Sequence, residues 1–211
     1  MDELEILAFL DESNKPVRDP ATGKVANTGN RYVVAAAVVL RGDAEPIRNE
    51  LRALRDRIGY DLHYSDLGRK SRTQVLIGLS EIDGWEGIIY QSAQAVPPLQ
   101  PDQRTRARIQ RAAFQDLTSL RGVTRIVVET RATTRRGFRK LDMHDEATWD
   151  SLRKQGLVPL SGEMEHGDKT EPLLWISDLL AGARTDELCR TERGFYALVS
   201  HRVRKVVSVD V

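Results

Sequence analysis

The sequence predicts an α/β fold in three layers, in which helices flank a central mixed sheet of five strands. One observation behind this is a set of nearly continuous apolar runs at residues 4–10, 31–40 and 125–130, which are typical of buried strands. Another is helical periodicity between those runs, where apolar residues recur every three or four positions. The stripe in the first such segment consists of Ile47, Leu51, Leu54 and Ile58. We therefore expect one domain over residues 1–211.

Composition narrows the class of protein. A chain of 211 residues is long enough for a sizeable core, and 40% hydrophobic with 30% charged residues is ordinary for a globular protein. No apolar run approaches the roughly 18 residues that a membrane helix needs. The acidic N-terminus is unlike a signal peptide. The single cysteine, Cys189, excludes an internal disulfide and a cysteine zinc cluster. Together these features predict a cytoplasmic protein.

The first half of the chain predicts a strand at residues 4–10 and an antiparallel partner at 31–40. Residues 14–30 between them are rich in Pro, Gly, Asn and Asp, and we expect a long loop there, forming a mobile flap. The elements expected next are a helix with Pro46 in its first turn and Gly59 at its end, a helix at 71–82, a strand at 85–91, a connection at 96–101 and a helix at 102–120.

That last helix carries several arginines in its first turns, where positive charge opposes the helix dipole. They are Arg104, Arg106, Arg108 and Arg111. Their expected partner is either phosphate or acids of the same protein.

The second half predicts a strand at residues 125–130, followed by a helix that Asp142 or Asp145 caps. The remaining elements expected are the end of that helix at Gly156, a fifth strand at 157–160, a polar loop at 161–169, a helix started by Pro172, a short helix at 193–201 and a final edge strand at 203–209.

Carboxylates interrupt the apolar pattern at three places. Asp178 lies in the segment 173–183, which is otherwise apolar or small except for Ser177. A charge in so apolar a helix is costly unless it is paired with an Arg, a set of backbone donors or a metal ion. Asp11 and Glu129 each end a predicted buried strand. We expect Asp178, Asp11 and Glu129 to meet at a metal site.

Further polar residues have two open interpretations. His63 and Asp66 are three residues apart and suit metal binding or proton transfer. They equally suit a locally hydrogen-bonded histidine with Ser65 or Asp66 capping the next helix. The loop 161–169 also offers acids and a histidine that either reach the site from its rim or are solvated. These are Glu163, Glu165, His166 and Asp168.

Basic residues are skewed toward arginine, with 25 Arg against 7 Lys at a net charge of +1. Arginine is the better fork for phosphate, although genome composition also explains such a bias. A basic stretch follows Glu129 and contains Arg131, Arg135, Arg136, Arg139 and Lys140. It either holds a nucleic-acid backbone beside the acids or is a solvated loop.

The order of elements and acids resembles the RNase H-like fold, and more specifically the domain-of-unknown-function 3800 family. The resemblance covers nearly the whole chain and rests on three segments: Phe9-Leu10-Asp11-Glu12-Ser13, Leu62-His63-Tyr64-Ser65-Asp66-Leu67 and Trp175-Ile176-Ser177-Asp178-Leu179-Leu180-Ala181-Gly182. The chain departs from the family at Asn14, where Gly is frequent, and at Ser177, where Ala is frequent. Both changes keep the carboxylates, and the family's middle acid, here Glu129, is variable.

The resemblance implies a metal-dependent nuclease that uses Mg²⁺ or Mn²⁺. Two ions roughly 3.5–4 Å apart stabilise both the attacking water and the leaving oxygen. In this scheme Asp11 bridges the ions, Glu129 and Asp178 each hold one, and Glu12 or Asp66 completes the set. His63 then aids proton transfer or product release.

Two other functions fit the sequence. One is a non-catalytic RNase H-like module that binds nucleic acid or a protein, for example in a defence or mobile-element system, with Asp178 paired to an Arg. The other is a hydrolase of a small phosphorylated molecule. A phosphate-binding glycine loop, a nucleophile elbow and a zinc signature are absent from the sequence. A homo-oligomer is compatible with the sequence.

Overall fold

The computed structural model of the protein describes residues 4–19, 21–97, 102–131, 139–192 and 194–211. Its strands are β1 (Ile6–Arg18), β2 (Val25–Leu40), β3 (Trp85–Ser92), β4 (Val123–Glu129), β5 (Glu163–Gly167) and β6 (Val203–Val209). Its α-helices are α1 (Arg41–Ile58), α2 (Arg69–Glu81), α3 (Asp102–Gln115), α4 (Arg139–Lys154), α5 (Pro172–Cys189) and α6 (Phe195–Val199). A π-helical turn, Asp116–Leu120, extends α3, and a 3₁₀ turn, Ser200–Arg202, joins α6 to β6.

The strands described form one mixed sheet in the order β5-β4-β1-β2-β3-β6. β1, β2 and β3 are an antiparallel meander, whereas β4 lies parallel to β1 and β5 parallel to β4. β6 lies parallel to β3 and occupies the other edge. The predicted α/β fold with helices on both sides of a mixed sheet is confirmed. The sheet has six strands rather than five, because the predicted edge strand at Val203–Val209 joins it directly.

Each face of the sheet has its own core. α1, α2, α5 and α6 pack on one face, against β1 residues such as Leu7 and Phe9. α3 and α4 pack on the other, against Ala8 and Leu10. Successive side chains of a strand point to opposite faces. Asp11 therefore follows Phe9 onto the α5 face, and the next residue in β1 points to the α3 and α4 face.

The prediction of a long loop and flap at residues 14–30 is wrong. β1 and β2 continue as one long hairpin, with Asn14 paired to Tyr32 and Lys15 to Arg31. At the tip, Asp19 Oδ1 accepts hydrogen bonds from the N–H groups of Ala21 and Thr22 at 2.9 and 2.8 Å. Backbone ladder bonds need no apolar side chains, so a polar hairpin arm beyond the core has the composition of a loop.

The prediction of a strand at residues 157–160 is also wrong. The α4 helix ends at Lys154, and the N–H of Leu157 turns back to the carbonyl of Leu152 at 3.0 Å. Val158 is buried as part of this turn, which explains its apolar composition. The fifth strand is β5, inside the predicted polar loop. Its outward side chains are Glu163 and Glu165, so this edge strand has little apolar signal.

The α5 helix is held against the sheet by Ser177. This fully buried hydroxyl donates to the carbonyl of Phe9 at 2.5 Å and accepts from the N–H of Ala37 at 3.2 Å. Further along α5, Gly182 lies against the ring of Tyr64, where a β-carbon would come within 2.3 Å of the ring. The Ser177 contact fixes α5 against β1, and the Gly182 contact fixes it against the segment before α2. Asp178 lies between these two contacts on α5.

Candidate functional site

Asp11 and Glu129 lie side by side just beyond the last register pair of β1 with β4, Asp11 within β1 and Glu129 as the last residue of β4. Their preceding residues, Leu10 and Val128, are register partners in the β1–β4 pair. Neighbouring strands are about 4.8 Å apart, and paired residues in a parallel ladder point to the same face. Both carboxylates are nearly inaccessible, at 4% exposure for Asp11 and 5% for Glu129. The strand register therefore brings two buried acids together under α5.

Asp178 is held from the segment that precedes α2. Its Oδ2 accepts a hydrogen bond from the N–H of Tyr64 at 2.6 Å and lies 3.0 Å from His63 Nδ1. The partner of this carboxylate among the described residues is thus a backbone donor together with a histidine, and no described Arg pairs with it. His63 does not belong to a local cap, since α2 begins after Gly68 with no side-chain cap.

The three acids influence one another electrostatically. Burial raises the pKa of Asp11 well above its ordinary value, and the charges of Asp178 and Glu129 raise it further. Arg131 opposes this, because its Nη2 lies 2.8 Å from Asp11 Oδ1. The structure therefore places Asp11, Glu129 and Asp178 close enough for their charges to interact. Among the described cations, Arg131 contacts Asp11 directly and Lys169 lies 3.9 Å from Glu129.

Glu129 and one oxygen of Asp11 receive no hydrogen bond from the described residues. Glu129 accepts no hydrogen bond from a described residue, and its nearest cation is Lys169, with Nζ 3.9 Å from Oε1. Asp11 accepts hydrogen bonds from described residues at Oδ1 alone, from the N–H of Glu12 at 2.7 Å and from Arg131 at 2.8 Å. Buried carboxylates normally have hydrogen-bond partners or bind cations. Hard oxygen ligands of this kind fit a divalent metal in general.

A cavity of about 270 Å³ opens beside these acids. Glu129 and Asp178 form its floor together with His63, and Lys169 and Trp175 stand on its wall. A smaller hollow next to it is lined by Asp11, Glu129 and Arg131, so Glu129 belongs to both. Asp66 is on the exposed rim of the cavity, where its Oδ1 accepts from the Ser65 hydroxyl at 3.0 Å.

Glu12 borders the smaller hollow and lies 3.5 Å from Arg131, but it follows Asp11 in β1 and points to the other face of the sheet. There its Oε2 pairs with Arg106 Nε at 2.6 Å. Arg106 also forms a two-pronged ion pair with Asp145, whose side chain is fully buried. The arginine at the start of α3 has its partners within the protein, as one of the two sequence interpretations held.

Asp142, Asp145 and His166 are the group of three acids or histidines whose ligand atoms lie within 4.8 Å of one another in the described part of the chain. Both oxygens of Asp145 already accept from Arg106. Asp142 accepts from the Thr130 hydroxyl at 2.7 Å and from the N–H of Arg131 at 2.8 Å. We interpret this group, which we call the α4 cluster, as an ion-pair network that supports the end of β4.

Sequence reasoning missed the α4 cluster. It assigned Asp142 or Asp145 to a helix cap, whereas α4 begins at Arg139 and both acids lie inside it. It placed His166 in a loop, whereas this residue is in β5, with its Nε2 3.7 Å from Asp145 Oδ2. The spacing of three between the two acids, on one helix face, was the available signal.

The predicted nucleic-acid contacts have mixed outcomes. Arg131 pairs with the protein's own acids, at 2.8 Å from Asp11 and 3.5 Å from Glu12. Arg135 and Arg136 lie outside the described residues. Arg139 and Lys140 begin α4, and their side chains are likewise outside the described part.

Of the acids in the loop predicted at the rim of the site, Asp168 caps its own turn by accepting a hydrogen bond from the N–H of Thr170 at 2.7 Å.

A pH titration tests the α4 cluster. The neighbouring Asp145 carboxylate raises the pKa of His166 above its ordinary value, against the opposing effect of partial burial. A raised folded-state pKa contributes stability that is complete below about pH 6.5, the unfolded value, and is lost as pH rises through the folded pKa. We expect His166→Gln to lose more stability at pH 6 than at pH 9, measured by urea unfolding. An equal loss at both pH values would contradict the pairing.

The fold has the element order that the predicted RNase H-like class requires. An antiparallel β1–β2–β3 meander is continued by parallel β4 and β5, with Asp11 within β1, Glu129 at the end of β4 and Asp178 on α5. A solved structure similar to this chain is that of RNase HII in a PCNA:RNase HII complex from Archaeoglobus fulgidus. That match has 16% identity and a TM-score of 0.47, and covers 90% of this chain and 78% of the other.

Two other comparisons gave no match, since no family model and no curated protein matches the sequence. Membership of the domain-of-unknown-function 3800 family stays a prediction. Among the described residues, no helix has the length and apolarity needed to cross a membrane.

Proposed function

We propose that the protein is a divalent-metal-dependent nuclease that hydrolyses phosphodiester bonds. The observation that carries this proposal is the convergence of Asp11, Glu129 and Asp178 from β1, β4 and α5 beside a cavity, with Glu129 free of hydrogen-bond donors from described residues. Such a set would hold Mg²⁺ or Mn²⁺, which supplies charge stabilisation for both the attacking water and the leaving oxygen.

The three acids would share the work of holding the ions. Glu129 lines both hollows, Asp178 lines the larger and Asp11 the smaller, so the set extends across the two. In this proposal Asp11 would be the ligand common to both ions, as expected from the sequence, and Glu129 and Asp178 would each hold one.

His63 is the proton-transfer group of this site. Its Nδ1 faces Asp178, and the hydrogen bond raises the pKa of the imidazole, although burial opposes the shift. The other ring nitrogen, Nε2, lies 3.4 Å from Lys169 Nζ on the cavity side. A histidine oriented by a carboxylate through one nitrogen presents the other to a reacting group. Because Nδ1 donates to the Asp178 carboxylate and the Lys169 ammonium donates toward Nε2, the lone pair of Nε2 faces the cavity, where it would accept a proton during the reaction.

Arg131 is the counter-charge of Asp11 in this proposal. Its Nη2 lies 2.8 Å from Asp11 Oδ1, and 28% of its side chain is exposed. When Asp11 instead binds a cation, the guanidinium is free to turn to a phosphate oxygen, for which its planar fork is suited. Its backbone stays fixed by the bond to Asp142. The α4 cluster would therefore support the reaction without touching the substrate.

The non-catalytic alternative expected an Arg partner for Asp178. Among the described residues that carboxylate is held by Tyr64 N–H and His63 instead. No observation on the described residues favours a non-catalytic module.

Calorimetric titration with Mn²⁺ tests the proposal. We expect wild-type protein to bind Mn²⁺, and Asp11→Asn to lose this binding, because the bridging charge is removed while the size of the side chain is kept. His166→Gln is the matched control and should bind as wild type does. Loss of binding in the control together with retention in Asp11→Asn would place the ion in the α4 cluster and overturn the assignment.

A further inference from the structure

The cavity beside the acids has an aromatic wall. Trp175 lies one turn before Asp178 on α5 and lines the cavity together with Leu62 and Leu174. Its ring is held at the edge by a hydrogen bond from Nε1 to the carbonyl of Lys169, at 2.7 Å. The guanidinium of Arg55 lies 5.7 Å from the ring centroid. The indole is thus fixed in place and only partly buried, within one helical turn of a proposed metal ligand.

The charges around the cavity define the kind of ligand that enters it. Four acids line it, namely Asp61, Asp66, Glu129 and Asp178, against the two permanent cations Arg55 and Lys169. An anionic ligand is repelled by this excess until a dication neutralises the floor. With the dication in place on the floor, Lys169 loses its nearest acid, Glu129, as a partner and attracts a phosphate, whereas Arg55 is paired with Asp56. The cavity therefore combines an apolar aromatic wall with a metal-dependent site for an anion.

We propose, building on the nuclease function above, that this cavity binds one unpaired nucleotide of the substrate. The base packs against Trp175, and the phosphate points to Lys169 and to the dication that the acids would hold. A volume of about 270 Å³ lies at the lower limit of the roughly 300–1,000 Å³ of small-molecule sites, which suits one nucleotide unit and is too small for a base pair. Aromatic rings bind unpaired bases because every base has a stacking face. The substrate class is consequently single-stranded nucleic acid or an unpaired end.

Tryptophan fluorescence tests this directly. Trp85 and Trp149 are both almost fully buried, whereas Trp175 faces the cavity. The probe is thymidine 5′-monophosphate in buffer with Ca²⁺, with thymidine and inorganic phosphate as separate arms. We expect the nucleotide to change the emission of wild-type protein and not that of Trp175→Phe. Thymidine or phosphate alone should bind at least about tenfold more weakly than the nucleotide.

Calorimetry with the same nucleotide measures the contribution of the ring. Trp175→Ala should weaken binding about tenfold or more, and Trp175→Phe by less, because it keeps a stacking surface. Tyr60→Ala is the matched control, since Tyr60 is an exposed aromatic outside the cavity. Circular dichroism verifies the fold of each variant. Equal affinity of wild type and Trp175→Ala, with both folded, would overturn the proposal.

Competition distinguishes the substrate classes, and metal dependence separates this proposal from the nuclease function. A single-stranded oligonucleotide should displace the nucleotide, and a blunt duplex of the same sequence should not. Duplex competing as well as single strand would overturn the assignment of an unpaired nucleotide. Mn²⁺ binding with an unchanged Trp175→Ala would refute the cavity proposal alone. Trp175-dependent nucleotide binding that is the same in Ca²⁺ and in chelator would instead refute the metal role of the acids.

Discussion

Asp178→Asn is expected to remove Mn²⁺-dependent phosphodiester cleavage while the fold stays intact. The amide keeps the size of the side chain and still accepts the hydrogen bond from the N–H of Tyr64 that now reaches Oδ2 at 2.6 Å. It loses the negative charge needed to hold a cation in place. Metal stabilisation of a transition state is worth several kcal/mol, so we expect a loss of at least about a hundredfold.

The measurement is the initial rate of cleavage of a single-stranded oligonucleotide at saturating Mn²⁺, with circular dichroism to verify the fold. Glu187→Gln is the matched control, because Glu187 lies on the same helix and its carboxylate forms an ion pair with Arg184 near the surface. Full activity in Asp178→Asn would sink the assignment of this carboxylate as a ligand. An equal loss in Glu187→Gln would show that α5 is sensitive to any such change.

Arg106→Met is expected to give the largest loss of stability, about 3–5 kcal/mol, because it leaves buried carboxylates without their cation. Asp145 is fully buried and accepts two hydrogen bonds from this guanidinium. Glu12 accepts a third at 2.6 Å. Burial opposes ionisation of Asp145, yet the neighbouring His166 and the hydrogen bonds from Arg106 lower its pKa overall, so the carboxylate is charged near neutral pH.

Urea unfolding of wild type, Arg106→Met, Asp145→Asn and the double variant measures this pair in a double-mutant cycle. The double variant should be more stable than the sum of the single losses predicts, because neither partner is then left alone. Arg204→Ala is the surface control and should cost less than about 1 kcal/mol, since Arg204 and Glu86 form an exposed pair. A loss for Arg106→Met no larger than for this control would contradict the buried network.

The acids of the proposed site could be identified in the sequence because each breaks an apolar pattern. Asp11 and Glu129 each follow an apolar run, and Asp178 interrupts an apolar helix, so each is a charge in a place where burial is expected. That these three meet depends on β1 and β4 being neighbours, which the order of strands and helices already favoured. Their neighbours Lys169 and Trp175 gave no comparable signal, since a lone lysine and a lone tryptophan are ordinary in any segment.

The α4 cluster had to await the tertiary structure. Arg106, Asp145 and His166 come from α3, α4 and β5, and each residue alone is an unremarkable polar side chain in its own segment. The same holds for the bond between Asp178 and the segment at His63, which joins residues far apart in the chain.

The α/β class, the main helices, the central strands and the acids that follow their apolar runs could all be predicted from the sequence. Burial periodicity carries that information, and it is local. The polar hairpin beyond the core, the position of β5 and the pairing of charges on the two faces of the sheet became evident only in the tertiary structure. Backbone ladders and ion pairs need no apolar pattern, and their partners are chosen by packing between segments that the sequence keeps far apart.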